Sequence, residues 1–146
     1  MKVLIDTNIW LSYLLSPARP GAINTVVVAS LTHDEIEVLV PQELITELAA
    51  KVAMKRYFSV RIPRATIDAF IEQLTALAEL PPLLEQIPPH TRDSKDDYLV
   101  AYGIVNEADY LITGDADLLV LGQVGALQII RPSNFVYLLK RHGLIT

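Results

Sequence analysis

The chain has 146 residues, 51% of them apolar, which is enough for the hydrophobic core of one domain and argues against disorder. It contains no cysteine, so disulfide bonds, zinc–thiolate sites and thiol catalysis are excluded. The net charge of −5 argues against a protein that binds nucleic acid through a broad basic face. It argues less against an enzyme whose acidic residues are concentrated around metal ions.

The sequence gives no sign of a membrane segment or an export signal. No apolar run approaches the roughly 18 residues of a membrane span. Residues Met1–Asp6 are typical of the start of a strand rather than of a signal peptide. We therefore expect a single cytoplasmic domain over residues 1–146.

Short β-rich runs alternate with longer helical patterns, an order typical of a parallel α/β sheet whose two faces are covered by helices. The predicted strands are short apolar runs at Lys2–Ile5, Ile36–Val40, Tyr110–Thr113 and Leu127–Ile130. Predicted helices run from Pro41 to about Met54, over 63–79, from Ser94 to about Asn106, and from Pro132 onward. The proline-rich segment between Glu79 and Arg92 is expected to be an extended connection.

Several acidic residues directly follow predicted strands. Asp6 follows the first strand, and Asp115 and Asp117 follow the third. In open parallel sheets, functional groups gather outside the carboxyl ends of the strands, where the strand order reverses. We therefore expect these carboxylates to lie at one edge of the sheet.

Two predicted helices can add further carboxylates to this edge. Glu43 and Glu47 are four residues apart, on one face of their helix. Glu43 falls in the first turn, where it favours the helix dipole regardless of function, so Glu47 is the preferred functional residue. Asp93, Asp96 and Asp97 lie just before or within the first turn of the helix that starts near Ser94.

So many acids in one cleft would repel each other unless cations compensate them. Carboxylate oxygens without cysteine or clustered histidine favour Mg²⁺ or Mn²⁺ over Zn²⁺, and the three histidines show no ligand spacing. Such a site suits phosphodiester hydrolysis, in which a metal ion activates water and a further carboxylate accepts its proton.

Each acid also has a structural interpretation. Asp6 is at a position where an aspartate commonly caps a helix, and Asp117 could cap a short helix beginning at Leu118. Ser94–Asp97 fits a capping box in which Asp97 folds back on the helix end, which makes Asp97 a more structural residue than Asp96. The joint occurrence of all these acids favours function.

Four segments taken in order resemble the PIN-domain nucleases, specifically the VapC-like toxins. These segments are Val3–Asn8 (VLIDTN), Pro41–Leu48 (PQELITEL), Arg92–Asp97 (RDSKDD) and Ala108–Leu119 (ADYLITGDADLL). The resemblance implies a three-layer α/β/α sandwich around a parallel sheet, usually of five strands, of which four are evident here. It also implies a Mg²⁺- or Mn²⁺-dependent endoribonuclease, usually a homodimer, that acts on RNA and is silenced by an antitoxin protein.

The resemblance also assigns site residues. By position, the family's acids are Asp6, Glu47, Asp96 and Asp115, with Asp117 close by. Asp6, Asp96, Asp115 and Asp117 would hold the metal. Supporting roles fall to Thr7, Asn8, Thr113, Glu43 and Asp97. The choices between Asp96 and Asp97, and between Glu43 and Glu47, stay open.

Basic residues concentrate beside the Glu47 helix, at Lys51, Lys55, Arg56, Arg61 and Arg64. We expect Lys51, Lys55 and Arg56 to contact RNA phosphates, although an ordinary solvated helix face is an equal alternative. Two other functions compete with the nuclease. One is a Mg²⁺ phosphatase with an aspartyl nucleophile, which Asn8 disfavours because a second Asp is expected there. The other is a non-catalytic PIN scaffold that binds or regulates a partner.

Overall fold

The computed structural model describes residues 1–90 and 94–146, and its centre is a five-stranded sheet with the order β2-β1-β3-β5-β4. The strands are β1 (Lys2–Ile5), β2 (Glu37–Val38), β3 (Tyr110–Ile112), β4 (Gln123–Val124) and β5 (Leu127–Ile130). β1 and β3 are buried almost throughout, as expected for strands with helices on both faces. The predicted α/β/α fold is confirmed.

The sheet is mostly, but not entirely, parallel. β1 pairs in parallel with β2 and β3, and β3 pairs in parallel with β5, whereas β4 runs antiparallel to β5. β4 is absent from the sequence prediction because it has only two residues. A tight turn creates it: Gly125 has φ of 60°, and two residues connect Val124 to its partner Leu127. A glycine at the first central position suits such a hairpin turn.

The helices follow the predicted order, with additions. They are α1 (Thr7–Leu15), α2 (Ala22–Thr32), α3 (Gln42–Met54), α4 (Arg56–Ser59), α5 (Arg64–Leu77), α6 (Asp97–Val105), α7 (Ala116–Leu119) and α8 (Pro132–Arg141). A 3-10 turn at Ser94–Asp96 precedes α6. In the described parts of the chain, no helix is both long and apolar enough to cross a bilayer.

The predicted strand Ile36–Val40 is shorter than expected. β2 covers only Glu37–Val38, and Leu39 forms an isolated parallel bridge with Glu79, two residues after the end of α5. The backbone N–H of Val40 donates to the carbonyl of Glu79 at 2.8 Å, so the chain after α5 takes over pairing at this edge.

The strand order reverses between β1 and β3. From β1 the chain moves outward to β2, and it then returns to form β3 on the other side of β1. Ligands of open α/β sheets bind at such a switch point, outside the carboxyl ends of the strands. Ile5 of β1 is in register with Ile112 of β3, so the residues that follow these two strands are neighbours.

Candidate active site

Asp6 and Thr113 meet directly at this switch point. Asp6 occupies the N-cap position of α1, but its side chain makes no capping hydrogen bond. Instead, the buried hydroxyl of Thr113 donates to Oδ2 of Asp6 at 2.7 Å. Asp6 therefore lies at the N-cap position of α1, as the sequence predicts. The interpretation that its carboxylate caps the helix is wrong.

Asp115 is held beside this pair by short-range contacts. Its backbone N–H donates to the Thr113 hydroxyl at 3.0 Å, so that hydroxyl accepts from Asp115 while it donates to Asp6. Oδ1 of Asp115 accepts from the backbone N–H of Asp117 at 2.9 Å and thereby caps α7. Asp115, not Asp117, is the cap, because α7 begins at Ala116 rather than at Leu118. Asp117 lies in the first turn.

Glu47 approaches from α3. Its Oε2 accepts a 2.8 Å hydrogen bond from the phenol of Tyr98 on α6, and its Oε1 lies 3.0 Å from the ammonium of Lys51. Nζ of Lys51 also donates to Oδ1 of Asn8 at 3.4 Å. Glu47 is thus fixed by one neutral and one charged donor, at a site formed by α1, α3 and α6.

Glu43, one turn earlier on α3, makes an equivalent contact with the next turn of α6. Both of its carboxylate oxygens lie 2.9 Å from the phenol oxygen of Tyr102. That phenol also accepts the backbone N–H of Leu84 at 3.1 Å, which ties the proline-rich segment to α6. Two glutamates four residues apart therefore pair with two tyrosines four residues apart.

Asp96 and Asp97 have different surroundings at the start of α6. Asp97 is buried, and its Oδ1 accepts the backbone N–H of His90 at 2.9 Å, which anchors the end of the proline-rich segment. Asp96 is half-buried at the N-cap position of α6. A place for Asp96 beside Asp6 stays a prediction, and Asp93 lies outside the described residues.

The acids that converge act on one another electrostatically. Burial raises the pKa of Asp6, the hydrogen bond from Thr113 opposes that rise, and the negative charges of Glu47 and Asp115 add to it. The positive charge of Lys51 lowers the pKa of Asp6. Asp6, Glu47 and Asp115 therefore form one acidic cluster, with Lys51 as its nearby cation. Glu43 is not among the acids that raise the pKa of Asp6.

Burial and the charge of Glu47 raise the pKa of Tyr98 above its usual range, so the phenol stays a protonated donor. The fully buried hydroxyl of Thr7 lies near this phenol, and among the residues that the structure describes it has no hydrogen-bond partner of acceptable geometry. An unsatisfied buried hydroxyl is costly.

The cluster has the chemistry of a divalent-metal site. Its donors are carboxylate oxygens, the set that Mg²⁺ and Mn²⁺ prefer, and an ammonium already lies against it. Within residues 1–90 and 94–146, however, no three acidic or histidine side chains are close enough to surround an ion as they stand.

The basic residues near α3 have distinct environments. Lys51 points to the cluster, whereas Lys55 and Arg56 are exposed at the end of α3 and the start of α4. The guanidinium of Arg61 lies 4.0 Å above the ring of Tyr57. Arg64 pairs with Asp68 at 3.7 Å, in an exposed contact of little energetic weight.

Fold and site together define an α/β domain with a mostly parallel sheet that presents carboxylates at its topological switch point. The family model of the PIN domain matches residues 2–117, most of the chain, and the protein belongs to the PIN-domain family. This confirms the family that the sequence motifs indicate. PIN domains are generally nucleases.

A solved structure with the same fold is that of VapBC2 from Rickettsia felis, bound to a DNA fragment from the promoter of that system. The two chains superpose with a TM-score of 0.58 at 13% identity, over 90% of this chain and 98% of the other. At this identity the likeness concerns the fold alone. No curated protein sequence matches the chain.

Sequence reasoning missed the two tyrosines. Tyr98 and Tyr102 read as apolar core positions of a helix, and both are indeed buried. The available signal was their spacing of four residues, which matches that of Glu43 and Glu47. Which phenol meets which carboxylate depends on how α3 and α6 pack, and the sequence does not specify that.

Proposed function

We propose that the protein is a Mg²⁺- or Mn²⁺-dependent endoribonuclease that hydrolyses RNA phosphodiester bonds. One observation carries the proposal: at the ends of β1 and β3 the Thr113 hydroxyl donates to Asp6 and accepts from the backbone N–H of Asp115, and the charge of Glu47 on α3 acts on the same Asp6. Membership of a family whose members are generally nucleases supports the same chemistry.

The proposed metal ligands are Asp6, Asp96 and Asp115, with Asp117 beside them. A divalent cation bound there would activate water and stabilise negative charge on the phosphate. Thr113 orients Asp6 through its hydroxyl. Glu47, positioned by Tyr98, is the carboxylate that would accept a proton from the attacking water.

RNA would approach along the end of α3. Lys55 and Arg56 are exposed there, one turn beyond Lys51, and their charges complement the phosphates of a substrate in a protein whose net charge is −5. In this proposal these cations position the backbone and carry no sequence preference. We propose that Lys51 joins them.

The biological setting proposed is the toxin of a toxin–antitoxin pair, acting in the cytoplasm as a homodimer and silenced by an antitoxin protein. The resemblance of its four motifs to VapC-like toxins supports this, as does a fold shared with VapBC2. A neighbouring reading frame for a small DNA-binding protein, whose product suppresses RNA cleavage, is the expected finding.

The test is cleavage of single-stranded and structured RNA by the purified chain with Mg²⁺ or Mn²⁺. Asp6→Asn should abolish cleavage without unfolding the protein, and EDTA should do the same. Asp34→Asn, the same change at an exposed residue outside the cluster, should leave cleavage intact. Full activity of Asp6→Asn, or of the wild type in excess EDTA, would refute the proposal.

The same assay separates the two competing functions. Release of phosphate from small phosphoesters without RNA cleavage would favour the phosphatase. Absence of both activities, together with no Mn²⁺ binding by calorimetry, would favour a non-catalytic PIN scaffold.

A further inference from the structure

The ammonium of Lys51 lies beside the carboxylates of the acidic cluster. Nζ is 3.0 Å from Oε1 of Glu47 and 3.4 Å from Oδ1 of Asn8, and its charge lowers the pKa of Asp6. The side chains of Lys51 and Glu47 are only 24% and 29% exposed. A positive charge thus lies within the acidic cluster itself.

An ordinary helical ion pair would not explain this position fully. Glu47 and Lys51 are four residues apart on α3, a spacing at which such pairs form readily and contribute little. Lys51, however, also donates a hydrogen bond to Asn8 on α1, which lies 43 residues earlier in the sequence. Its positive charge also lowers the pKa of Asp6. The contact therefore joins two elements at the switch point.

We propose that Lys51 is the intrinsic counter-ion of the acidic cluster, and that a divalent cation displaces it when the metal site fills. This inference rests on the proposed function. An ammonium and a metal ion would compete to neutralise the same negative charge, because Lys51 offsets the charges of Glu47 and Asp6 that a metal ion beside them would also offset. Lysine suits the exchange because its charge is a compact group on a flexible four-carbon stem.

Displacement has a consequence for the substrate. The released side chain extends from α3 one turn before Lys55, so its ammonium joins the exposed cations proposed to meet RNA phosphates. Binding of the metal and binding of RNA would then reinforce each other, since each becomes easier once Lys51 has left Glu47.

The test is isothermal calorimetry of Mn²⁺ with the full chain and no RNA, on wild type, Lys51→Met and Lys55→Met. Lys51→Met should bind Mn²⁺ about fivefold more tightly than the wild type, because the competitor is gone. Lys55→Met removes the same charge from the next turn of the chain, and Lys55 makes no ion pair in the described portion of the protein. Its affinity should change less than about twofold.

Lys51→Arg keeps the charge and should keep near wild-type affinity. A second readout is the ¹⁵N side-chain resonance of Lys51, which should shift to that of a solvated ammonium as Mg²⁺ is added. Equal Mn²⁺ affinity in wild type, Lys51→Met and Lys55→Met, with a ¹⁵N signal unmoved by Mg²⁺, would overturn the role of Lys51 while leaving the metal site standing. Failure of both wild type and Lys51→Met to bind Mn²⁺ would overturn the metal site itself.

Discussion

The hydroxyl of Thr113 donates a 2.7 Å hydrogen bond to the carboxylate of Asp6, although 107 residues separate the two in the chain. The bond exists because β1 and β3 are parallel neighbours whose carboxyl ends coincide. Asp6 is only 4% exposed, so its ionised form depends on this donor and on nearby cations.

Replacing Thr113 by Val should shift the acid limb of the pH–rate profile upward. Burial already raises the pKa of Asp6 and the Thr113 hydrogen bond opposes that rise, so losing the bond raises the pKa further. Less Asp6 is then ionised at a given pH, and cleavage should fall by about 10- to 100-fold. Thr113→Ser keeps the hydroxyl and should keep the wild-type profile; an unshifted profile in the Val variant would contradict this role.

Asp6→Asn should abolish activity but stabilise the metal-free protein near neutral pH. The pKa of Asp6 in the folded state is raised above its ordinary value of 3.8, so the folded protein holds this proton to higher pH than the unfolded chain does. The stability that this group contributes is complete below 3.8 and is lost as pH rises through the raised folded value.

Melting temperatures of wild type and Asp6→Asn, measured from about pH 3.5 to about pH 7, check this linkage. The melting temperature of Asp6→Asn should rise relative to that of the wild type as pH increases. Added Mn²⁺ should raise the melting temperature of the wild type alone. A difference between the two proteins that stays constant with pH would show that Asp6 does not titrate as stated.

Tyr98→Phe should lower kcat by about tenfold and leave KM nearly unchanged, because Tyr98 acts through the position of Glu47 rather than by touching RNA. Tyr102→Phe is the matched control, since it removes the phenol that holds Glu43 instead. It should lower the free energy of unfolding by about 1 kcal/mol, because the N–H of Leu84 loses its acceptor, and it should change kcat little. Equal losses of kcat in both variants would argue against a specific role of Tyr98.

Asp96→Asn and Asp97→Asn should separate function from structure at the start of α6. Asp96→Asn should abolish cleavage and should lower the melting temperature less than Asp97→Asn does, because asparagine also suits an N-cap position. Asp97→Asn should weaken the buried bond from the N–H of His90 and cost roughly 1–3 kcal/mol of unfolding free energy. Urea denaturation and RNA cleavage measured on both variants check the assignment. The reverse pattern would make Asp97 the functional acid.

Strands were predictable where burial on both faces leaves a continuous apolar run. Lys2–Ile5 and Leu127–Ile130 were predicted with the bounds that the structure has. β4 was not, because two residues carry no pattern and a glycine turn creates the pairing. The helix predicted over 63–79 extends from Arg64 to Leu77, since Pro63 provides its N-cap.

The sequence was enough to predict which residues meet at the ends of the strands. Asp6, Thr113 and Asp115 follow β1 and β3, and parallel pairing alone brings them together. The contacts of Glu47 with Tyr98 and Lys51 depend on the packing of α3 against other elements, which no local pattern encodes. The choice of Asp96 over Asp97 stays a prediction, supported by the hydrogen bond that the buried Asp97 accepts from the backbone N–H of His90.

A crystal structure with bound Mn²⁺, located by its anomalous scattering, tests the convergence of the four acids most directly. We predict one ion at the β1/β3 switch point, with carboxylate oxygens of Asp6, Asp96 and Asp115 at about 2 Å. Glu47 should lie beside it, and Lys51 should have left Glu47. An ion bound elsewhere, or an Asp96 carboxylate on a different face of the domain, would contradict the proposed site.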